Sequence, residues 1–202
     1  MMLLLLLINV QLNLENSLVD QQLIKIANST LLILKQKTWE KVNLVEVLKK
    51  AKIKNLKNKI SNKHDLLQNI ILFFDFKLQK LTNNVEVSNK KDMIFEIMMI
   101  RFDILQHYRK EVTNIFNSLK KNPRELIFLL PTFIDSMTLM VKLSKISSKG
   151  IKGRIKIKGL LLIYFSSFLV WLDDSTDSLE KTMSHLDSSL EKANNFSKYL
   201  YN

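Results

Sequence analysis

Apolar side chains return every third or fourth position along almost the whole chain, the spacing of helices that each bury one face. Leu18, Leu23, Ile26, Ala27, Leu31 and Leu34 mark a first helix. Asn43 followed by Glu46 reads as a capping-box start, and the helix it opens runs through Val47, Leu48 and Ala51. A second short helix is expected over Lys54 to Ile60. Asn62 then caps a long helix through Leu66, Leu67, Ile70, Ile71, Phe74 and Leu78. Thr82 to Asn89 is polar and reads as a linker. Met93 to His107 and Tyr108 to Lys121 are helical again. Asn122-Pro123 ends one helix and starts the next, because Pro suits a first turn. Pro131, inside the following apolar run, predicts a kink. Ser147 to Gly153 predicts a loop and Ile155 to Leu172 an apolar helix. Asp174 or Ser175 is expected to cap a last helix through Leu179, Met183, Leu186, Leu190 and Phe196. No stretch alternates with a strand's period and no repeat is visible, so the chain is expected to be all-α with about nine helices.

Composition narrows this further. At 202 residues the chain suits one domain, or a small module fused to a larger one. Three Gly and two Pro leave few tight turns, which argues against a sandwich or barrel. The lack of Cys excludes disulfides, Cys-ligated zinc and a thiol nucleophile. With 47% hydrophobic residues the chain can bury a core.

The net charge of +12 is carried by two segments. Lys49 to Lys63 holds seven Lys and no acid; Lys142 to Lys158 holds six Lys, one Arg and no acid. Two readings stand. One is a pair of surfaces for an anionic partner, nucleic acid or lipid headgroups. The other is drift towards Lys and Asn, since Lys outnumbers Arg 27 to 4.

Met1 to Ile8 is apolar but far shorter than the ~20 residues that span a bilayer. It lacks a basic flank and a small-residue cleavage site, so a signal peptide is not expected. Phe165 to Leu172 is bounded too closely by Lys158 and Asp173 to be read as a span. A cytoplasmic location, peripheral at a membrane, is the expectation. The tail from Asn195 to Tyr201 mixes aromatics with Lys198, which suits a membrane interface.

No constellation of catalytic residues emerges. His64, His107 and His185 are scattered and match no metal-ligand spacing. Ser184, His185 and Asp187 are too close along a helix to form a hydrolase triad. Asp173 and Asp177 lack the further ligands of a calcium loop, and helix capping explains the acids there. No glycine-rich phosphate loop is present. A non-enzyme without metal or cofactor is expected.

Three helices between Leu18 and Ile60, followed by a long connecting helix, suggest a helix-turn-helix head on a helical core. The run from Trp39 to Ile53 resembles the start of the tetracycline-repressor (TetR) DNA-binding domain. Leu56-Lys-Asn-Lys-Ile60-Ser-Asn-Lys63-His-Asp-Leu66-Leu67 is similar to that domain's closing segment. Lys52 stands where the family has a turn Gly and Lys57 where it has Tyr. The stretch between Ile53 and Leu56 is shorter than the family pattern, which changes what a recognition helix can reach. Lys49, Lys50, Lys54, Lys57, Lys59 and Lys63 are the candidate DNA or phosphate contacts. A packing module with a solvated Lys face is the alternative.

The most distinctive stretch comes later. It comprises Lys158-Gly-Leu-Leu-Leu-Ile-Tyr164, then Trp171-Leu172-Asp173-Asp174-Ser175, then Thr182 to Leu186-Asp187. It resembles the C-terminal region of the coenzyme Q (ubiquinone) biosynthesis accessory family of mitochondria and α-proteobacteria. That resemblance implies a TetR-like fold that binds lipid and presents quinone precursors to other enzymes. The basic segment Lys142 to Lys158 replaces a longer tryptophan- and asparagine-containing stretch of that family.

Met98, Phe102, Phe133, Met137, Tyr164 and Phe168 are the candidate pocket for an apolar lipid or quinone-like ligand. Ordinary core packing is the alternative for these side chains. The last two helices match the pair that dimerises TetR proteins, and Gly159, Ser166 and Ser167 would admit a partner helix, so a homodimer is expected. The expected organisation is an extension over residues 1–14, a head and connecting helix over 15–81, and a ligand-binding and dimerisation domain over 90–202. The leading expectation is a non-enzymatic lipid- or isoprenoid-binding accessory protein of ubiquinone synthesis. The competing one is a DNA-binding regulator that responds to an apolar ligand.

Overall fold

The computed structural model describes residues 21–53, 60–82 and 89–201, with side chains through Asn195. The expected extension over residues 1–14, and Lys54, Lys57 and Lys59 with the short helix they belong to, lie outside the described residues. So do the linker positions 83–88 and the aromatic tail side chains. Among the described residues the chain forms eight α-helices and no strand. These are α1 (residues 21–34), α2 (Leu44–Ala51), α3 (Lys63–Thr82) and α4 (Lys90–Gln106). They continue as α5 (Arg109–Lys121), α6 (Pro123–Leu143), α7 (Gly150–Asp173) and α8 (Glu180–Tyr201), with a 3₁₀ turn at Trp39–Lys41 between α1 and α2.

The periodic positions do the packing. Ile26, Ala27, Leu31 and Leu34 of α1, Val47 of α2, and Leu66, Leu67, Ile70 and Phe74 of α3 are buried together. Helix α4 runs through the middle, touching α3, α5, α6, α7 and α8. That position explains why Ile97, Met98 and Phe102 have no exposed surface. Helix α7 is sandwiched by α6 and α8. Both α6 and α7 are long and apolar enough to cross a bilayer, beyond what the Phe165–Leu172 run alone suggests. Each, however, buries a face in the chain's own core.

The helix ends refine the sequence reading. Asn62 and Asp65 form a reciprocal cap on α3. The Asp65 backbone N–H donates to Asn62 Oδ1, and the backbone N–H groups of Ser61 and Asn62 donate to Asp65 Oδ2. Burial alone would push the Asp65 carboxyl up, but these donors outweigh it and hold it low. The box on α2 is only half closed. Asn43 accepts from the Val45 N–H, while Glu46 turns away to Lys37 at 2.6 Å. Helix α6 spans Pro123–Leu143 with Pro131 inside it. Pro131 and Ile127 are both exposed, so the carbonyl that Pro131 leaves without an i+4 donor is on the solvent side.

Two boundaries are corrected. The expected loop up to Gly153 is shorter, because α7 begins at Gly150. Gly150 takes φ +68°, and a Cβ on Gly153 would run into the Ser148 backbone. The final helix begins at Glu180 rather than at Asp174 or Ser175. Residues 174–179 form a separate turn, in which buried Leu179 adopts φ 55°.

Candidate functional site

A cavity of about 370 Å³ opens between α3, α4, α5, α6 and α7, within the size range of small-molecule sites. Leu67, Ile70, Ile71 and Phe74 of α3 form one wall; Tyr164, Phe165, Phe168 and Leu169 of α7 form another. Val112, Ile115, Phe116 and Leu119 of α5 and Leu126, Leu129 and Phe133 of α6 close the rest. Lys120 and Leu169 line it and are exposed, so this side is its rim. The aromatic walls hold one another. Phe116 meets Phe168 edge-on at 5.3 Å, and Phe133 meets Phe165 at 5.1 Å.

Three of the six sequence-predicted pocket residues, Phe133, Tyr164 and Phe168, line this cavity. Met98, Phe102 and Met137 do not. They have no exposed surface and belong to the solid core behind it, where Phe102 stacks on Tyr164 at 5.6 Å. The sequence reading missed the α5 wall, because α5 is amphipathic and its apolar stripe reads as ordinary core.

Arg101 was also missed. It is 1% exposed, lines the cavity, and pairs with Asp75 of α3 at 2.8 Å. Ser136 of α6 donates to the other Asp75 oxygen at 2.6 Å. Burial raises the Tyr164 hydroxyl pKa, with the Arg101 guanidinium opposing it.

The tail signature is a structural lock beside this cavity. Trp171 is fully buried, its indole N–H donates to Gln106 at 3.1 Å, and Phe168 stacks on it at 5.4 Å. Arg109 lies over the Trp171 ring at 4.5 Å. It donates to the Trp171, Leu172 and Asp174 carbonyls at the C-terminus of α7, where a cation suits the helix dipole. Asp174 is fully buried and accepts from the backbone N–H and the hydroxyl of both Thr176 and Thr182. Burial alone would raise its carboxyl pKa, but these four donors hold it well below the usual range. Leu186 is buried, Leu172 half-buried, and Asp173 and Ser175 exposed. Asp187 pairs with Lys91 of α4 at 3.1 Å.

The basic candidates separate. Lys49 and Lys50 are exposed on α2. Lys63 is not a free cation. Its ammonium donates to the Glu40 carbonyl at 3.0 Å and lies over the Trp39 ring at 4.9 Å, and burial lowers its pKa. The head is tied to the core by Asn114 of α5. Its side chain accepts from the Trp39 N–H at 2.9 Å and donates to the Leu34 and Lys37 carbonyls. Of the small residues expected at a helix-pair interface, Ser167 is fully buried within the chain. Ser166 makes a 3.1 Å contact with His185. Among the described residues, no group of three or more His, Asp or Glu could hold a metal ion.

Residues 156–197 match the COQ9 family model, a segment that contains the whole tail signature. No curated protein matches the sequence. Among solved structures, the TetR transcriptional regulator from Nitrosomonas europaea ATCC 19718 is similar over 84% of this chain and 96% of its own. The two share 16% identity with a TM-score of 0.65. The chain therefore has a TetR-like fold, with a C-terminal segment related to the COQ9 family.

Proposed function

We propose that this chain is a non-enzymatic, TetR-fold protein that binds an apolar lipid or isoprenoid and serves as an accessory in ubiquinone synthesis. The observation that carries it is the aromatic cavity of about 370 Å³, whose α7 wall lies in the COQ9-matching segment. An apolar molecule that fills it leaves water for close-packed aromatic walls. The protein is read as cytoplasmic and peripheral at a membrane. Exposed Ile151 and Ile155 among Lys149, Arg154, Lys156 and Lys158 give α7 a start suited to an anionic lipid surface. A homodimer through α7 and α8 is part of this reading, supported by Leu162 at 72% exposure and Met183 at 40%. Native mass spectrometry of a lipid-preserving preparation tests the proposal. It expects a co-purifying isoprenoid or quinone and reduced quinone in a deletion strain. Absence of both results overturns it.

A second reading, a DNA-binding regulator, is favoured by the TetR regulator of similar fold and by exposed Lys49 and Lys50 on α2. It requires a sequence bound in preference to bulk DNA at physiological salt. A genomic pull-down that enriches none overturns it.

A further inference from the structure

The walls of the α3–α7 cavity are almost wholly apolar, and it opens at a rim where Lys120 is exposed and Leu169 is 53% exposed. Apolar walls left in contact with water carry a free-energy cost that any apolar group seated there removes. Apolar cavities of ~150 Å³ take one benzene, so one of about 370 Å³ has room for about two leucine-sized side chains.

The chain carries an apolar group of its own that no other role has absorbed. Met1 to Ile8 is an unbroken apolar run. It lies outside the described residues, and the chain enters them at Gln21, at the start of α1. There the Leu23 carbonyl accepts from Asn69 of α3 at 3.0 Å, while Leu67, Ile70, Ile71 and Phe74 of the same helix wall the cavity. The entry is thus on the other side of α3 from the cavity, a helix width of ~10 Å. The chain from Ile8 to Gln21 spans up to about 45 Å when extended, enough to pass round the bundle to the rim. Charge favours this occupant over a bilayer. Residues 1–20 hold Glu15 and Asp20 and no Lys or Arg, in a chain of net charge +12. Segments that seek an anionic membrane surface carry Lys and Arg beside their apolar side chains. An acidic one is drawn back to the basic body of its own chain, where Lys120 stands at the rim. Tethering also gives the segment an effective concentration of about millimolar, above that of a second copy in dilute solution.

We propose that Met1 to Ile8 is an intramolecular plug, which seats apolar side chains in the α3–α7 cavity and must be displaced by any apolar ligand. This goes beyond the ligand reading above and does not depend on it. The test titrates Nile red into the full chain and into a full-length Leu4→Asp, Leu6→Asp variant checked for native helicity. Carboxylates are kept out of an apolar site. The variant is therefore expected to bind the dye about tenfold or more tightly than the wild type, because it lacks the tethered competitor. Equal affinities overturn the plug and leave the apolar site standing. A second readout needs no ligand. The chain has no Cys, so Leu5→Cys with Lys120→Cys gives one defined pair for a short bis-maleimide. A cross-link within one chain is expected, and it should vanish when the two Asp substitutions are added. Cross-links only between chains assign the segment to a second copy and overturn the plug. Absence of any cross-link overturns it as well, and phosphatidylcholine vesicles retained by the wild type but not by the Asp variant then identify a bilayer as the occupant. If Nile red binds neither form, the apolar-ligand reading falls and the cross-link alone decides the plug.

Discussion

Replacing Asp174 with Ala tests the claim that the tail signature is a structural lock. The carboxylate has no exposed surface and receives four hydrogen bonds. The two threonine hydroxyls can rotate to other acceptors, but the backbone N–H groups of Thr176 and Thr182, at 3.1 and 2.8 Å, cannot. Hydrogen bonds to a charged group contribute ~1.5–3 kcal/mol, and a buried donor left alone costs a similar amount. Losing two that cannot re-form gives a destabilisation of about 3–5 kcal/mol. For a chain of this size that lowers the melting temperature by about 10 °C, readable by circular dichroism. Asp174→Asn keeps the shape and one acceptor oxygen, and should lose less. The pH dependence has a definite sign. The folded carboxyl titrates below its unfolded value of about 3.9, so the stabilisation is complete above that pH and is lost as pH falls further. The gap between wild type and Asp174→Ala should therefore stay constant near neutrality and narrow below pH about 4. A loss under ~1 kcal/mol, or a gap that widens on acidification, refutes the reasoning.

Three further outcomes follow from the same geometry. Lys52 and Lys145 hold left-handed positions, at φ 56° and 55°, where α2 and α6 end in Schellman-type turns. Each Lys→Gly change should raise stability by roughly 1 kcal/mol in urea unfolding, and a loss at both would show that the backbone there is unstrained. Gly153→Ala should cost about 1–3 kcal/mol by the same measurement, because the methyl meets the Ser148 backbone rather than a flexible side chain. Arg109→Met should cost roughly 2–4 kcal/mol through the loss of the ring contact and the carbonyl bonds at the end of α7. Intrinsic Trp fluorescence, which samples the environment of buried Trp171, should report the change, and an unaltered spectrum with wild-type stability counts against the lock.

Lys52 and Lys145 also bear on the charge. Both occupy cap positions that Gly serves better, in a chain with only three Gly. That substitution pattern fits compositional drift towards Lys as one source of the +12. Lys63 has likewise been drawn into a structural task, against Trp39 and the Glu40 carbonyl, so its charge is not evidence for phosphate binding.

Helix type and approximate position were legible along the described chain because helical periodicity is a local property. A stripe of Leu66, Ile70 and Phe74 declares a helix whatever it packs against. The cap at Asn62 was legible for the same reason, although its reciprocal partner Asp65 came only with the structure. The tail signature could be recognised from sequence, but its physical purpose could not. Arg109 reaches Trp171 across 62 positions, Ser136 reaches Asp75 across 61, and Asn114 reaches Trp39 across 75. No periodicity encodes such pairs, since each joins elements whose relative placement is set by the packing of the whole bundle. The cavity is of the same kind. Met98 and Phe133 look alike as apolar helix positions, and only the arrangement of α3 to α7 makes one solid core and the other a wall. The sequence alone determined an all-helical, cysteine-free chain with a COQ9-like end. Tertiary structure decided where apolar surface remains open and where the Arg101–Asp75 pair is buried, because burial depends on neighbours distant in the chain.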